Sequence, residues 1–272
     1  MDELVSVCIP AYNNEKDIRA TVDSILGQTY SNIELVITDD ASTDRTVEII
    51  KSFSDPRIKL YQNEKNLGMS GNWNHCIECA DGKYIKLVCA DDILRAGSIE
   101  AELEAMQKDP EIVMTINDSI MVNRDMKNLG VFARYGRKGI IDGKILAKKS
   151  LTFNNYFGMP CAVMFRKDIF EKVGGFDRDF KYILDFDLWL LMAPLGKVAV
   201  LDEKLNYFML RKDSNTGKVM SKEKKPYYLE HVHLLEKHAS NLQVGKFGVF
   251  VSKVLRKART AGYGIWLKWV LR

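Results

Sequence analysis

The feature that most constrains this chain is a regular alternation, over its first hundred residues, of short apolar runs with segments of helical spacing. Val5–Ile9, Glu34–Thr38, Ile58–Tyr61 and Tyr84–Val88 read as short buried strands. Between and after them, Asn13–Leu26, a segment opened by Ser42-Thr43-Asp44, residues 70–80 and residues 98–108 read as helices. Ile18, Val22, Ile25 and Leu26 share one face of the first. Strands alternating with helices at this spacing predict an α/β fold, with a mostly parallel sheet and helices on both faces.

The second half is less regular. Strands are expected at Ile112–Ile116, Ser119–Val122, Cys161–Phe165, Lys197–Leu201 and Leu205–Leu210. Lys167–Val173 reads as a short helix stopped by Gly174-Gly175, and Asp185–Ala193 as another. Residues 123–158 read as long loops with room for one helix, and the chain beyond 222 as helical. Neither a repeat nor a Pro/Gly-rich linker interrupts it. The expected organisation is one domain over 1–215, divided near 110, with a helical extension over 216–272.

Of the 272 residues, 46% are apolar and 28% charged, which excludes a disordered or fibrous chain. No apolar run approaches the ~18 residues that a membrane span needs. Met1-Asp2-Glu3 leads at once into a strand-like run, so no cleaved leader is expected. Five irregularly spaced cysteines fit reduced thiols and a cytoplasmic location. Charge is unevenly placed. Residues 241–272 hold seven basic residues and no acid, while the other 240 hold 33 basic and 36 acidic, which makes nucleic-acid binding by the body unexpected.

In an open parallel sheet, ligands bind beyond the carboxyl ends of the strands, near the topological switch. The four N-terminal strands are followed by Pro10-Ala-Tyr-Asn-Asn-Glu15, Asp39-Asp40-Ala-Ser-Thr-Asp44, Asn63-Glu-Lys-Asn-Leu-Gly68 and Ala90-Asp91-Asp92. Acids and amides therefore gather along one rim, and carboxylates beside a phosphate call for a cation between them. No G-x-G-x-x-G follows the first strand and no G-x-x-x-x-G-K-[ST] occurs, which disfavours a dehydrogenase or a P-loop NTPase.

Taken in order, these motifs, with Ser24–Thr29, Gly82–Ile85, Gly174-Gly-Phe-Asp177 and Asp185-Phe-Asp-Leu-Trp189, resemble those of family 2 glycosyltransferases of the GT-A fold over roughly residues 4–212. The resemblance implies a Rossmann-like sheet with a nucleotide-sugar half (1–110) and an acceptor half (111–215). It also implies metal-assisted, inverting sugar transfer from a nucleotide diphosphate, UDP foremost, to a glycan or lipid-linked acceptor in surface polysaccharide synthesis. By matching position, Pro10, Ala11, Tyr12, Glu15, Asn66 and Gly68 would bind the donor, with Asp40 accepting from the base. Asp91 and Asp92 would hold Mn²⁺ or Mg²⁺, and Asp185 would be the general base. Met159 and Pro160 would face the acceptor, and Arg211 the diphosphate. Acceptor contacts are expected around Asn154–Cys161 and Gly174–Asp177.

The chemistry suits those residue types. A cation held by carboxylate oxygens neutralises the leaving diphosphate. A carboxylate near the acceptor hydroxyl takes its proton. Two positions depart from the family pattern: Cys89 stands where the first acid of the metal motif is usual, and Leu184 where a Glu precedes the base. Asp39, Asp40 and Asp91-Asp92 also suit helix capping, and Asp44 is read as a cap outright. Asp187 is the alternative base to Asp185, since positions two apart on a helix diverge. His75-Cys76-Ile-Glu-Cys79 reads as core thiols rather than a zinc site, Trp189 as core, and His231, His233 and His238 as solvated.

In the tail, Phe247, Phe250, Val251, Val254 and Leu255 recur at helical spacing, with Lys253, Arg256 and Lys257 elsewhere on the wheel and two Trp in Ile265–Leu271. This suits the surface of an anionic membrane, and so a peripheral place on its inner face; packing on the domain or dimerisation is the alternative. Two other readings stay open: a nucleotide-sugar-binding protein without catalysis, given Cys89 and Leu184, and a protein binding nucleic acid or partners through 241–272.

Overall fold

The computed structural model describes residues 3–132, 135–211, 214, 217 and 223–270, the side chains of 263–270 excepted. The Trp-containing run Ile265–Leu271 lies outside the described side chains. The first half follows the expected alternation: β1 (Val5–Ala11), α1 (Ile18–Leu26), β2 (Ile33–Asp39), α2 (Thr46–Lys51), β3 (Ile58–Gln62), α3 (Gly68–Glu78), β4 (Tyr84–Leu87), a two-residue β5 (Ile93–Leu94) and α4 (Ser98–Gln107). Then come β6 (Ile112–Val122), β7 (Asn128–Phe132), β8 (Gly139–Asp142), α5 (Gly143–Thr152), β9 (Val163–Arg166), α6 (Lys167–Val173), α7 (Leu184–Met192), β10 (Lys197–Met209), α8 (Lys224–His238) and α9 (Lys246–Val270).

The strands form one sheet in the order β3-β2-β1-β4-β9-β6-β10-β5, with β7 beside β6 and β8 beside β10. β3, β2, β1 and β4 are all parallel. β9 enters antiparallel between β4 and β6, and β6 and β10 are parallel to each other. Strands β1 and β2 are buried along their whole length, as covering on both faces requires. The chain steps outward from β1 to β3, then returns to lay β4 on the other side of β1. That reversal opens a crevice at the carboxyl ends of β1 and β4.

Several boundaries differ from expectation for local reasons. α1 starts at Ile18, not Asn13, because Asn13 adopts φ +52 and its side chain accepts from the Thr43 N–H (2.9 Å). The two strands expected over 112–122 are one. Asn117, which lies between the two expected runs, is satisfied in place by Glu102 (2.9 Å) and the Ala162 carbonyl (3.0 Å). The two expected over 197–210 are likewise one strand, with a register shift at the exposed Asp202-Glu203-Lys204. Cys161 sits in a 3₁₀ turn ahead of β9. The supposed loop 123–158 holds β7, β8 and α5, the last capped by Asp142 accepting from Ile145 N (2.9 Å).

The sheet is covered on both faces. One apolar cluster joins α1 and α4 to the β1–β2 side; the other joins α3, α5, α6 and α7 and takes in Leu234, Leu235, Leu242 and Val244 of the extension. Trp189 is fully buried in the second, 5.4 Å from the Phe165 ring. Cys76 is buried in the same cluster, with Cys79 packed against it. His231 and His238, expected to be solvated, are buried; only His233 is exposed. His238 Nε2 lies 2.6 Å from Asp187 Oδ1, and Arg256 Nη1 donates to His231 Nδ1 at 2.9 Å. Their polarity is used in docking the extension, which spacing alone does not show. Among the described residues no helix is long and apolar enough to cross a membrane.

Two predictions come from this interior. Lys86 on β4 and Glu102 on α4 form a fully buried ion pair (2.6 Å), and Glu102 also receives Asn117. Lys86→Met leaves that carboxylate uncompensated and is expected to cost about 3–5 kcal/mol in urea denaturation. Burial, then Arg256 and Arg259, hold the His231 pKa well below its usual value. The unfolded chain binds its proton near pH 6.5 and the folded chain only at lower pH, so this group's stability is full above ~6.5 and lost as pH falls. The drop in melting temperature between pH 7 and 5.5 should be smaller in His231→Gln than in the parent protein.

Candidate active site

The crevice at the switch is a cavity of about 880 Å³, within the range of small-molecule sites. Its floor is made where β1 and β2 end together: Ala11 pairs with Asp39, and the Asp40 N–H donates to the Ala11 carbonyl (2.9 Å). Of the residues singled out from the sequence, Pro10, Ala11, Tyr12, Asp40, Asn66, Gly68, Asp91 and Arg211 line it. Glu15, Asp92, Asp185, Met159 and Pro160 do not.

Asp40 does more than face the cavity. Its Oδ1 accepts from Leu67 N (2.7 Å) and Asn63 Nδ2 (2.9 Å), and its Oδ2 from Gly68 N (3.1 Å). The carboxylate therefore caps α3 from across the sheet rather than the helix that follows it in sequence, where a negative charge meets the helix dipole. Gly68 takes φ +75 at that turn, a conformation open to glycine at little cost. Asp39 Oδ2 instead accepts from Ser42 N (3.0 Å). Asp44 accepts from Thr46 N (2.9 Å), as a cap, and from Glu15 N (3.0 Å). Glu15 turns away from the cavity to accept from Arg45 N (3.2 Å), so it staples the loop after β1 to the loop after β2.

At the other end, Arg211 lies between two acids. It donates to Asp91 Oδ2 (2.7 Å and 3.1 Å) and to Asp17 Oδ2 (3.1 Å), and Asp17 also holds Arg124 (3.1 Å). Burial, with the charge of Asp17, raises the Asp91 pKa against the pull of Arg211. Asp92 is a correction: it is fully buried, with Oδ1 accepting from Met209 N (3.0 Å), and presents no ligand to the cavity. Burial and the adjacent Asp91 push its pKa well up. Cys89 lines the cavity, its thiol raised by burial and then by Asp92, Asp91 and Asp185.

Asp185 opens α7, half-buried and near enough to Cys89 for its charge to act there. Asp187 is fully buried between Lys237 (2.9 Å) and His238 (2.6 Å), paired as a counter-ion, and does not line the cavity. Leu184 is simply core. Met159 precedes and Pro160 opens the 3₁₀ turn that lies against β6 and β10, and neither lines the cavity.

The sequence profile of the family described as glycosyl transferase family 2 matches residues 6–174. The chain belongs to that family. It is 33% identical over 205 residues to the Escherichia coli UDP-Glc:alpha-D-GlcNAc-diphosphoundecaprenol beta-1,3-glucosyltransferase WfgD, covering 74% of each chain. It is 34% identical over 196 residues to the E. coli enzyme WfaP, of the same described activity, covering 71% of this chain and 72% of that one. Among solved structures, S. aureus TarS 1-349 in complex with UDP-GlcNAc superimposes with a TM-score of 0.73 at 18% identity, over 97% of this chain and 75% of that one. The Pyrobaculum calidifontis mannosyltransferase PcManGT, in complex with GDP-Man and Mn²⁺, gives 0.63 at 16% identity, over all of this chain and 74% of that one. The fold is that of GT-A glycosyltransferases.

In this glycosyltransferase the cavity has walls that the motifs did not disclose. Asn72 of α3 is buried and donates to Thr38 O (3.2 Å), while its Oδ1 accepts from Asn63 (3.0 Å). An amide among the apolar positions of α3, four residues after Gly68, was the available signal. Across the cavity, Arg178, Phe180 and Lys181 come from the segment before α7. That segment is fixed at both ends: Asn74 brackets the Phe176 backbone (2.8 Å and 2.9 Å), and Glu230 accepts from Lys181 N and Tyr182 N (2.9 Å and 2.8 Å). At Gly175, φ is +78 and a Cβ would lie 2.6 Å from Asn74 Oδ1, so only glycine fits this turn. Asp40→Ala strips the amides of α3 of their acceptor and is expected to cost about 1–3 kcal/mol in urea denaturation. Glu15→Ala, which removes one acceptor from the Arg45 amide at a half-buried position, should cost about 0.5–1.5 kcal/mol.

Proposed function

We propose that this glycosyltransferase performs inverting transfer of a sugar from a nucleotide diphosphate, UDP foremost, to a lipid-linked glycan acceptor in surface polysaccharide synthesis, on the cytoplasmic side of the membrane. The observation that carries the reading is one cavity with Asp40 and Asn72 at its β1–β2 end and Cys89, Asp91 and Arg211 at its β4 end. The relatives WfgD and WfaP, named for UDP-Glc and a diphosphoundecaprenol acceptor, support the choice of substrates.

In this reading Tyr12, half-exposed above the β1 end, and Asp40 receive the base. Asn66 and Gly68 line the same wall. Arg211 receives diphosphate oxygens, exchanging part of its pairing with Asp91 for charge-assisted bonds to phosphate. Arg178 and Lys181 add positive charge from the opposite wall, which favours a doubly charged leaving group. Asp185 takes the proton of the acceptor hydroxyl as it attacks. One in-line displacement with a single base inverts the anomeric centre.

Mn²⁺ or Mg²⁺ fits these residues in one way. Asp91 is the acid at the β4 end of the cavity, and among the described residues no group of three or more His, Cys, Asp or Glu converges as a metal cage. A hard cation bound mainly by phosphate oxygens and water needs only one or two carboxylates. Asp91 would hold it, and it would supply neutralisation of the departing diphosphate.

The test is transfer from labelled UDP-hexoses to a GlcNAc-diphosphate-lipid, with UDP binding followed by calorimetry. Asp185→Asn should lower turnover by about 10²–10⁴-fold while leaving the UDP affinity within about threefold, because the variant keeps the nucleotide wall. Retained turnover would place the base elsewhere. UDP binding with no transfer and no nucleotide release in the parent protein would instead make it a nucleotide-sugar-binding protein.

A further inference from the structure

Helix α9 is inside out. Among its described side chains, Ser252, Arg256 and Thr260 point inward and are buried, with Val249 packed against the core beside them, while Phe247, Phe250 and Val254 are 79%, 64% and 50% exposed. A surface helix on a globular domain ordinarily turns its apolar stripe to the core and its charges to water. Here most of the docking is polar, with Val249 the apolar contact on that face. Arg256 donates to the Ser150 and Leu151 carbonyls (3.2 Å and 3.0 Å) in the last turn of α5, to His231 (2.9 Å) and to Ser252 (3.1 Å), with its guanidinium over the Phe186 ring at 5.3 Å. Ser252 donates to Leu151 O (2.7 Å), and Arg259 to Asn154 Oδ1 (3.0 Å). These bonds fix which way the helix faces, and so hold its apolar stripe outward.

The outer stripe runs through Phe247, Phe250, Val251, Val254 and Ala258, at successive intervals of three, one, three and four residues, along one side of the helix. Lys246, Lys253 and Lys257 form a row along one flank at intervals of seven and four. No acid occurs anywhere in 241–272. We propose that this face of α9 docks on an anionic lipid bilayer, with the phenylalanines entering the headgroup–acyl boundary and the lysine row meeting the lipid phosphates. Charge decides the occupant. A second copy of this face would set lysine rows against each other, and a neutral protein groove would leave them uncompensated, whereas acidic headgroups around an apolar interior match both features. The transferase reading and this one are independent, since vesicle binding and transfer to a water-soluble acceptor are measured separately.

The test is flotation of the 272-residue protein with vesicles of phosphatidylcholine alone and with about 30% phosphatidylglycerol, a fraction chosen to give a strongly negative surface. Binding is expected on the mixed vesicles, weak on the neutral ones, and reduced by salt. Phe247→Ser/Phe250→Ser/Val254→Ser should weaken partition by about tenfold or more, because binding scales with buried apolar area. Lys253→Glu/Lys257→Glu, which leaves the stripe intact, should abolish the preference for the acidic lipid. Both should keep the parent's melting temperature and its turnover of a soluble acceptor. The proposal fails if the parent protein ignores the mixed vesicles or if the triple variant floats as well as the parent. It fails equally if the face proves to hold a second copy, seen as a concentration-dependent dimer that the triple variant loses, or a nucleic acid, seen as salt-sensitive DNA or RNA binding without vesicle binding.

Discussion

The Asp40 carboxylate is the group on which the arrangement of the cavity wall depends. It leaves the end of β2 and receives the first amides of α3, a helix that begins 28 residues later. α3 then reaches in two directions. Asn72 binds back to the ends of β1 and β2, and Asn74 clasps the Phe176 backbone 102 residues further along. A charged acceptor on helix amides is about twice as strong as a neutral one, and its loss leaves donors unsatisfied in a partly dry crevice. The end of β2 and the segment before α7 are thus linked through one helix, alongside the continuous sheet.

Charge in the cavity is arranged with little surplus. Arg211 lies between Asp91 and Asp17, and Asp17 also takes Arg124. Asp92 is turned away onto Met209 N, and a thiol replaces the other acid that a family 2 metal motif would carry. The Arg211 guanidinium at this end of the cavity is therefore already positioned and already paired with acids. Arg178 and Lys181 add two further cations to the cavity lining.

The C-terminal helices show how a reversed amphipathic pattern can be stable. α8 contributes Leu234 and Leu235 to the main core and sends Lys237 and His238 to the buried Asp187. α9 then attaches through Arg256, whose donors meet carbonyls at the end of α5, where the helix dipole favours a cation. Apolar packing lacks direction, and hydrogen bonds have it. A helix held by hydrogen bonds can therefore leave its apolar side free for another surface.

Much of this protein was legible in its residues taken in order. The alternation of Val5–Ile9, Glu34–Thr38, Ile58–Tyr61 and Tyr84–Val88 with helical segments specified the layered α/β half, because burial on both faces demands continuous apolar strands. The motifs after those strands marked the crevice, because such turns must lie at the carboxyl edge of the sheet. Tertiary structure alone decided which of their polar groups face it. Asp40 caps a helix not adjacent in sequence, Glu15 and Asp44 join two loops, Asp92 turns inward beside Asp91, and Asp187 rather than Asp185 is enclosed by cations. Periodicity records how a residue sits on its own element. The choice between solvent, cavity and buried partner depends on which distant donors and acceptors arrive beside it, and only the folded chain brings those together.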